Sequence, residues 1–259
     1  MPDAEVYDIH ALNVDARPVL DRCTGRVSCA SCGKSVKYFC YYCARPIAEI
    51  EDKVPQIQLP FKLDVIKHAK ELDGKSTAIH AKIVAPQDVN IITYADDCLD
   101  GVDEAVDVVE MDMSQIERVV VIDGTWSQAK AMVKFNPQLQ RMQKVTIKPR
   151  KTRFWRYQTV DESYLATIEA IYFLYRDSVG SRYNGEYDAL MYFYKYFYEH
   201  IQGVYAAKPE RPFTSKHQKN YINYHDATPA PAPRSARNDV AKANYDIDDL
   251  GLDDMFEPL

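Results

Sequence analysis

The stretch VVVIDGTWSQAKAM, residues 119–132, decides the fold class of this 259-residue chain. Its first four residues are consecutive apolar side chains, which is typical of a strand covered on both faces. Gly124 permits a sharp turn, and the residues from Ser127 onward are helix formers with apolar side chains at core spacing. We therefore predict a strand, a turn and a helix, and with them an α/β fold.

The polar residues of this stretch fall where the predicted strand meets the predicted helix. Open α/β sheets bind ligands at the carboxyl ends of their strands. Asp123, Thr125 and Trp126 are therefore candidates for a binding or catalytic site. The alternative is structural, with Asp123 as an Asx-type cap and Trp126 as a packing side chain.

Composition and charge narrow the class of protein. Apolar residues make up 46% of the chain, which is enough for a sizeable core. We expect neither a signal peptide nor a membrane span, because no early apolar run follows a basic segment and no run reaches about 18 residues. The net charge of −6 argues against a uniformly basic protein. The charge is uneven, since residues 96–117 hold nine acidic and no basic residues.

Composition shifts along the chain predict five segments. We expect a flexible arm at 1–21, a cysteine-rich module at 22–46 and an extended linker at 47–60, where Pro55 and Pro60 follow Pro46 at the end of the module. An α/β domain is predicted for 61–224 and a disordered acidic tail for 225–259. The tail could carry a partner-binding motif, because residues 226–259 have eight acidic and three basic residues, or −5.

Within the main domain, periodicity predicts two strands and three helices. Strands are expected at 90–94 and 119–122, and a helix, with a strand as the alternative, at 76–84. The acidic residues 96–117 are expected to form a surface insertion. The spacing of Thr159 and Glu162 is that of a capping box, so a helix is predicted from Ser163 to about Asp177. A second long helix is predicted for about 187–204.

The cysteine-rich module has the spacing of a metal site. Cys29 and Cys32 form one close pair, Cys40 and Cys43 form another, and seven residues separate the pairs. Two such pairs can supply four thiolates to a tetrahedral Zn²⁺ ion, and four ligands make the site structural. The alternatives are reduced structural cysteines or two disulfides. Cys23 lies outside the pattern.

Residues 141–156 form a basic stretch that contains seven Lys or Arg and no acidic residue. Basic side chains neutralise phosphates, and aromatic rings stack on unpaired bases, so the stretch is a candidate RNA-binding surface. The alternatives are a solvated basic face or a partner for the acidic insertion. The candidate RNA-binding residues are Lys148, Arg150, Lys151, Arg153, Trp155 and Arg156.

Glu169 lies on the apolar face of the helix predicted from Ser163, so its carboxylate is expected to point inward. A buried carboxylate needs a partner, such as a ligand amine, a backbone amide or an arginine of the basic stretch. Thr167 lies two residues before it. Residues 68–80 form a second polar cluster that includes Lys75, Ser76 and Thr77, but its spacing matches no common metal or triad motif.

Four stretches together carry a family resemblance. Residues 123–126, DGTW, match the D-x-T-W signature from which the DTW-domain family takes its name. KHAKELDGKSTAIHAK, RKTRFWRYQ and LATIEAIYFL recur in similar form and order in eukaryotic members, whose N-terminal part resembles the cysteine module. From about Cys29 to Val204 the chain is identified as a member of this family. The short acidic insertion and the acidic tail depart from its pattern.

The resemblance implies tRNA-uridine aminocarboxypropyltransferase activity. S-adenosylmethionine would donate its 3-amino-3-carboxypropyl group to N3 of a uridine, leaving methylthioadenosine. The implied fold is SPOUT-like, a class with a knotted cofactor site, and whether this chain is knotted stays open. Nuclear localisation is implied, with the cytoplasm as the alternative. The implied partner is tRNA.

Under this resemblance the candidate residues acquire roles. Asp123 would be the general base, or a ligand of the donor's amine or ribose. Trp126 would stack on adenine or the target base, or belong to the core. Arg150, Arg153 and Arg156 would bind tRNA phosphates, or one of them the donor carboxylate. The implied catalytic residues are Asp123, Thr125 and Trp126, and the implied donor-binding residues are Lys75, Ser76, Thr77, Gly124, Thr167 and Glu169.

Three other functions compete with this one. An S-adenosylmethionine-dependent RNA methyltransferase would need the same donor pocket. A non-catalytic RNA-binding zinc protein would bind RNA with steep salt dependence but would not bind the donor. A scaffold protein would depend on its acidic tail.

Overall fold

The computed structural model describes residues 4–71, 73–94, 105–107, 115–155 and 161–207, with the backbone alone for 105–107. The helices, in chain order, are α1 (Arg17–Leu20), α2 (Ala78–Val84), α3 (Trp126–Lys134), α4 (Pro137–Arg141), α5 (Thr167–Val179) and α6 (Tyr192–Ala206). The strands are β1 (Val27–Ser28), β2 (Ser35–Val36), β3 (Phe39–Cys40), β4 (Arg45–Pro46), β5 (Lys62–His68), β6 (Val89–Tyr94), β7 (Ala105–Asp107), β8 (Arg118–Asp123) and β9 (Lys144–Thr146).

The main sheet has three parallel strands in the order β6–β5–β8. Helix α2 connects β5 to β6, and α3 follows β8, as expected of an α/β fold. The strands predicted at 90–94 and 119–122 and the helix predicted at 76–84 are confirmed. The α/β class is therefore confirmed, whereas the SPOUT-like fold stays a prediction.

Side chains on the two faces of the sheet enter two different apolar clusters. Leu63 and Val65 of β5 are completely buried in the main core, which α2, α5 and α6 also line. Ile66 faces the other way and packs with Met132 of α3 and Leu139 of α4. Burying one such side chain stabilises the fold by about 1.5–3 kcal/mol. The alternation of side chains along β5 therefore determines which of the two apolar clusters each residue of the strand enters.

Helix α5 begins four residues later than the capping-box spacing indicates. The predicted start at Ser163 is wrong, since the helix begins at Thr167. The backbone N–H of Ala166 donates a hydrogen bond to Glu169 Oε2 across 2.8 Å. A carboxylate in the first turn thus satisfies a backbone donor that the start of a helix leaves without an intrahelical partner. The second long helix, α6, begins at Tyr192 after a 3₁₀ turn over Asp188–Met191.

The N-terminal segment is not a flexible arm within the described residues. Tyr7, Ile9, Leu12 and Leu20 are all buried in the main core. Because their spacing follows no helical or strand period, sequence patterns do not predict their burial. The predicted linker is also anchored, since it contributes four buried side chains: Ile47, Ile50, Val54 and Leu59.

The predicted acidic insertion is partly a strand. β7 lies inside it and pairs in parallel with β9. Most of the remaining insertion, including Cys98, and the acidic tail lie outside the described residues. Within the described part of the chain, every helix is too short or too polar to cross a membrane.

Candidate functional site

The candidate site lies where β5 and β8 end. Asp123 is the last residue of β8 and is the register partner of Lys67 on β5. Ser76 and Thr77 come directly before α2, and Thr167 is the first residue of α5. The carboxyl ends of parallel strands and the amino ends of two helices therefore meet around one carboxylate, as expected of a ligand site in an open α/β sheet.

Asp123 is held by hydroxyl groups from both helix starts. Its side chain is 3% exposed. Ser76 Oγ donates a hydrogen bond to Oδ2 across 2.5 Å, and Thr167 Oγ1 donates one to Oδ1, also across 2.5 Å. Hydrogen bonds to a carboxylate are stronger than neutral ones. Each oxygen still has a second acceptor site, so this arrangement can accept a further N–H from a ligand.

The segment after Asp123 caps α3 by means of Thr125. The Thr125 hydroxyl accepts a hydrogen bond from Gln128 N across 3.4 Å, and Thr125 N donates to Gln128 Oε1 across 2.7 Å. A Cβ on Gly124 would lie 3.1 Å from both Gln128 Oε1 and His68 Cβ, so a side chain there would have to displace its neighbours. The alternative that Asp123 is itself the cap is wrong.

Trp126 is not a core residue. Its side chain is 44% exposed, and its ring packs edge-on against Tyr164 with a centroid distance of 4.4 Å. An aromatic pair with this exposure can offer a ring surface to a base. Tyr164 was not a sequence candidate, because it lies 38 residues away and belongs to no recognisable motif.

Thr77 and Ser76 differ in what they contact. Thr77 Oγ1 accepts a hydrogen bond from Ile168 N across 3.1 Å, so this hydroxyl ties α5 to α2. Ser76 contacts the carboxylate of Asp123 directly. Lys75 is half-buried at the end of the preceding 3₁₀ turn.

Lys67 is a site residue that the sequence analysis missed. It is 8% exposed, and its ammonium group donates hydrogen bonds to Glu71 O across 3.1 Å and to Asp73. These hydrogen bonds join Lys67 to the segment that precedes Ser76. The sequence does contain a signal for Lys67. Leu63, Val65 and Lys67 are each two residues apart, so the period of a strand places all three side chains on one face.

Glu169 is buried as expected, but its partners belong to the protein. Tyr7 and the backbone N–H of Arg153 donate to Oε1 across 2.6 and 2.8 Å. Thr152 and the backbone N–H of Ala166 donate to Oε2 across 2.5 and 2.8 Å. Four donors fill the acceptor sites of a carboxylate. The structure therefore contradicts a donor-binding role for Glu169, and also an ion pair with an arginine side chain.

Two predicted RNA contacts are structural. Arg150 is 3% exposed and forms two hydrogen bonds with Asp177, at 2.8 and 2.6 Å. Its guanidinium also lies 4.1 Å from the ring centroid of Phe173. Trp155 is 1% exposed and packs on Tyr194. Because Asp177 already pairs with the guanidinium of Arg150 and the ring of Trp155 is enclosed in the core, the prediction that they contact RNA is wrong.

The other members of that set reach solvent to different degrees. Lys148 is exposed, and Lys151 is half-buried and pairs with Glu162. The half-buried Arg153 donates to Tyr7 O across 3.2 Å. Arg156 lies outside the described residues.

The four cysteines of the module come together as a candidate metal centre. The Sγ atoms of Cys29, Cys32, Cys40 and Cys43 all lie within 4.8 Å of one another. The distance from Cys29 Sγ to Cys43 Sγ is 3.9 Å, and that from Cys32 Sγ to Cys40 Sγ is 3.5 Å. Four sulfurs about 2.3 Å from Zn²⁺ in a tetrahedron lie about 3.8 Å apart. These distances fit such an ion and contradict disulfides, which require about 2.05 Å.

The local backbone favours thiolate formation at one end of this cluster. Hydrogen bonds from the backbone of Cys32 and Ser31 lower the pKa of Cys29 to about 6. The hydrogen bond with Cys32, followed by desolvation, raises the pKa of Cys43 to about 12. Thiolates crowded together repel one another, and a divalent cation removes that repulsion. Cys23 is buried outside the cluster, as its spacing predicted.

Comparisons with known proteins identify the family of this chain. Residues 87–202 match the DTW domain. The chain is 32% identical over 252 residues to mouse tRNA-uridine aminocarboxypropyltransferase 1, covering 72% of this chain and 82% of the mouse protein. The rat and human proteins of that name are 33% and 31% identical, and 78% and 79% of their lengths are covered. No solved structure matches the chain. The chain therefore belongs to the tRNA-uridine aminocarboxypropyltransferase 1 family of DTW-domain proteins.

Proposed function

We propose that this protein transfers the 3-amino-3-carboxypropyl group of S-adenosylmethionine to N3 of a uridine in tRNA. The relatives it matches are named as tRNA-uridine aminocarboxypropyltransferases. The observation that carries the proposal is the buried carboxylate of Asp123, held by Ser76 and Thr167 at the carboxyl ends of the strands. Trp126 supports it, because this exposed ring comes three residues after Asp123 in the chain and packs on the half-buried Tyr164.

The chemistry of the acceptor, uridine N3, determines what the carboxylate of Asp123 must do. Uridine N3 carries a proton and becomes a good nucleophile only when that proton leaves. In the proposed step the N3–H proton moves to Asp123 as the bond from N3 to the γ-carbon of the donor chain forms. The bond from that carbon to sulfur breaks, and sulfur keeps the electron pair in neutral methylthioadenosine. Ser76 and Thr167 fix the orientation of the carboxylate.

The donor defines the work of the surrounding residues. Its sulfonium has three carbon arms open to attack, so the site must place the γ-methylene in line with N3. We assign this positioning to Ser76, Thr167, Lys75 and the turn around Gly124. Thr77 acts indirectly, because its hydroxyl is occupied in joining α2 to α5.

Three further assignments complete the proposal. We assign a structural Zn²⁺ ion to Cys29, Cys32, Cys40 and Cys43, whose distances suit it. We retain Lys148, Lys151, Arg153 and Arg156 as contacts to tRNA phosphates, without Arg150 and Trp155. Nuclear localisation remains part of the proposal, and fluorescence imaging of the tagged protein tests it.

Transfer to tRNA is tested with two labelled donors, one labelled in the methyl group and one in the aminocarboxypropyl chain. Chain label in unmodified tRNA is the expected result, with methylthioadenosine in equal amount. Methyl label instead would make the protein a methyltransferase. Neither label, together with no donor binding by calorimetry, would favour an RNA-binding or scaffold protein.

The variant Asp123→Asn distinguishes the two possible roles of Asp123, general base and donor ligand. It keeps the shape of the side chain but removes its basicity. If Asp123 is the base, kcat falls by about 100-fold or more while the donor Kd is unchanged. If Asp123 binds the donor's ammonium group, the donor Kd itself weakens. Full turnover by Asp123→Ala would overturn both roles.

A further inference from the structure

We propose that the cysteine module carries an RNA-contact surface that binds an unpaired nucleotide and its flanking phosphates. The surface consists of Arg26, Lys34 and Tyr42, and it is named here the module patch. The inference rests on the proposed function for the identity of the RNA as tRNA. It is independent of which group the enzyme transfers.

The charge of the module favours a polyanion. Residues 22–46 contain five basic and no acidic side chains. Four thiolates with one Zn²⁺ ion contribute −2, so the module carries +3 when the metal is bound. Arg45 pairs with Glu51 across 2.5 Å, so its charge is offset, whereas Arg26 and Lys34 are exposed and contribute to the local potential. This positive module belongs to a chain whose net charge is −6. A local basic surface on an acidic protein indicates a specific anionic partner.

Arg26 is held in place before any ligand arrives. Its Nε donates to Ser35 Oγ across 3.0 Å, and its Nη2 donates to Ser35 O across 2.7 Å. The residue is nevertheless exposed, and guanidinium has further N–H donors. A guanidinium that is anchored on one edge and open on the other binds phosphate with little loss of side-chain entropy.

Tyr42 supplies the aromatic element beside this cation. Its side chain is 56% exposed, and Lys34 Nζ lies 3.9 Å from its ring centroid. Arg26, Tyr41 and Tyr42 line one shallow cleft on the module. An exposed ring next to two basic groups is the combination that stacks an unpaired base while neutralising its phosphates. An acidic protein segment would not need the ring.

The module that carries the patch packs directly against the rest of the protein. Phe39 is 2% exposed and packs edge-on against Phe193 of α6 and His80 of α2. Helix α2 is the same element whose start places Ser76 against Asp123. RNA held at the module patch is therefore held relative to the candidate site. The patch also accounts for RNA binding where Arg150 and Trp155 do not, because both are buried.

The test is RNA binding by the full chain, measured by fluorescence anisotropy with unmodified tRNA at several salt concentrations. Tyr42→Ala should weaken the affinity about fivefold or more, and Tyr42→Phe should keep it. The double variant Arg26→Ser/Lys34→Ser should weaken affinity and reduce the slope of log K against log salt by about 1.4–1.8. A matched control is Lys53→Ser/Arg182→Ser, which removes two exposed charges elsewhere and should retain more of the affinity.

Folding of each variant is checked by thermal unfolding and zinc content. Lys34→Ser alone is used if loss of Arg26 disturbs the hairpin formed by β1 and β2. Equal affinity of the patch variants and the control would overturn the proposal and leave the surface to an acidic protein segment. Transfer by patch variants with unchanged KM and Kd would also overturn it, while the proposed function stands. Patch-dependent RNA binding without any transfer would support the patch and overturn the proposed function.

Discussion

Thr167 Oγ1 donates a hydrogen bond to Asp123 Oδ1 across 2.5 Å, joining the first residue of α5 to the last residue of β8. The two residues are 44 positions apart in the chain. Their contact completes the support of a carboxylate that Ser76 holds from the other side. It is the relationship on which the candidate site depends most directly.

Replacing Thr167 with Val removes this donor and keeps the shape of the side chain. A hydrogen bond to a charged group contributes about 1.5–3 kcal/mol, so kcat/KM should fall about ten- to a hundredfold. Thr167→Ser keeps the hydroxyl and should retain most of the activity. Steady-state kinetics with tRNA and labelled donor measure both. Equal activity of the Val variant and the wild type would show that the hydroxyl does not orient the carboxylate.

Glu169→Gln should destabilise the fold. An amide cannot accept from all four donors that surround Glu169, and at least one faces an N–H group instead. The expected loss is about 1–3 kcal/mol in the free energy of unfolding, measured with urea. Glu162→Gln is a matched control at an exposed ion pair and should change stability by less than about 1 kcal/mol. A stable Glu169→Gln variant with weakened donor binding would restore the donor-binding hypothesis.

Metal analysis should find one Zn²⁺ ion per chain. Cys43→Ser removes one of four ligands and should lower both the zinc content and the Tm. Cys23→Ser is the control, because Cys23 lies outside the cluster and should leave the zinc content unchanged. A chelator should lower the Tm of the wild type toward that of Cys43→Ser. Full stability without bound metal would contradict a structural role.

Ala44→Gly should stabilise the protein. Ala44 has φ of 51°, in the left-handed region, at the position after Cys43 that Gly33 occupies after Cys32. A non-glycine residue there costs about 1–2 kcal/mol. The reverse type of change, Gly33→Ala, should destabilise the protein by a similar amount, because φ is 73° at Gly33. An added Cβ meets nothing within 4 Å, so backbone strain is the whole expected effect. Urea unfolding at saturating zinc compares the two, and stability changes of the same sign would refute the argument.

Stability should decrease as the pH falls below about 6.5 through the titration of His200. Burial lowers the pKa of His200 from 6.5, with a smaller contribution from Lys37. The unfolded chain therefore binds a proton at a higher pH than the folded one does, so acid favours unfolding in this window. Well above pH 6.5 both states are neutral at this residue, and the contribution is constant. His200→Gln should flatten the dependence, and an unchanged pH profile would assign it to other groups.

Local patterns were sufficient for several parts of this structure. The strand and helix of residues 119–132 follow from consecutive apolar residues, a glycine and helix formers, all of which act over short distances. The clustering of the four cysteines follows from two close pairs, because each pair can approach a metal only along one edge. Thr125 ends up capping α3 because its hydroxyl is three residues from Gln128.

Long-range partners explain the wrong predictions. Arg150 looks like an RNA contact in the sequence, but Asp177, 27 residues later, makes its burial favourable. The carboxylate of Glu169 is filled by donors from Tyr7, Thr152 and Arg153. Residues near the N-terminus were expected to form a flexible arm because their apolar side chains show no period. Individual side chains of this segment are nevertheless buried in the main core.

The sequence by itself determined which segments form strands and helices around residues 119–132, and that four cysteines can surround one ion. Both depend on interactions between residues close in the chain. Only the tertiary structure decided which polar groups are available to a ligand. Asp123 keeps acceptor sites because hydroxyl groups from two distant helix starts take only one on each oxygen. Glu169 keeps none, because the fold surrounds it with four donors of its own.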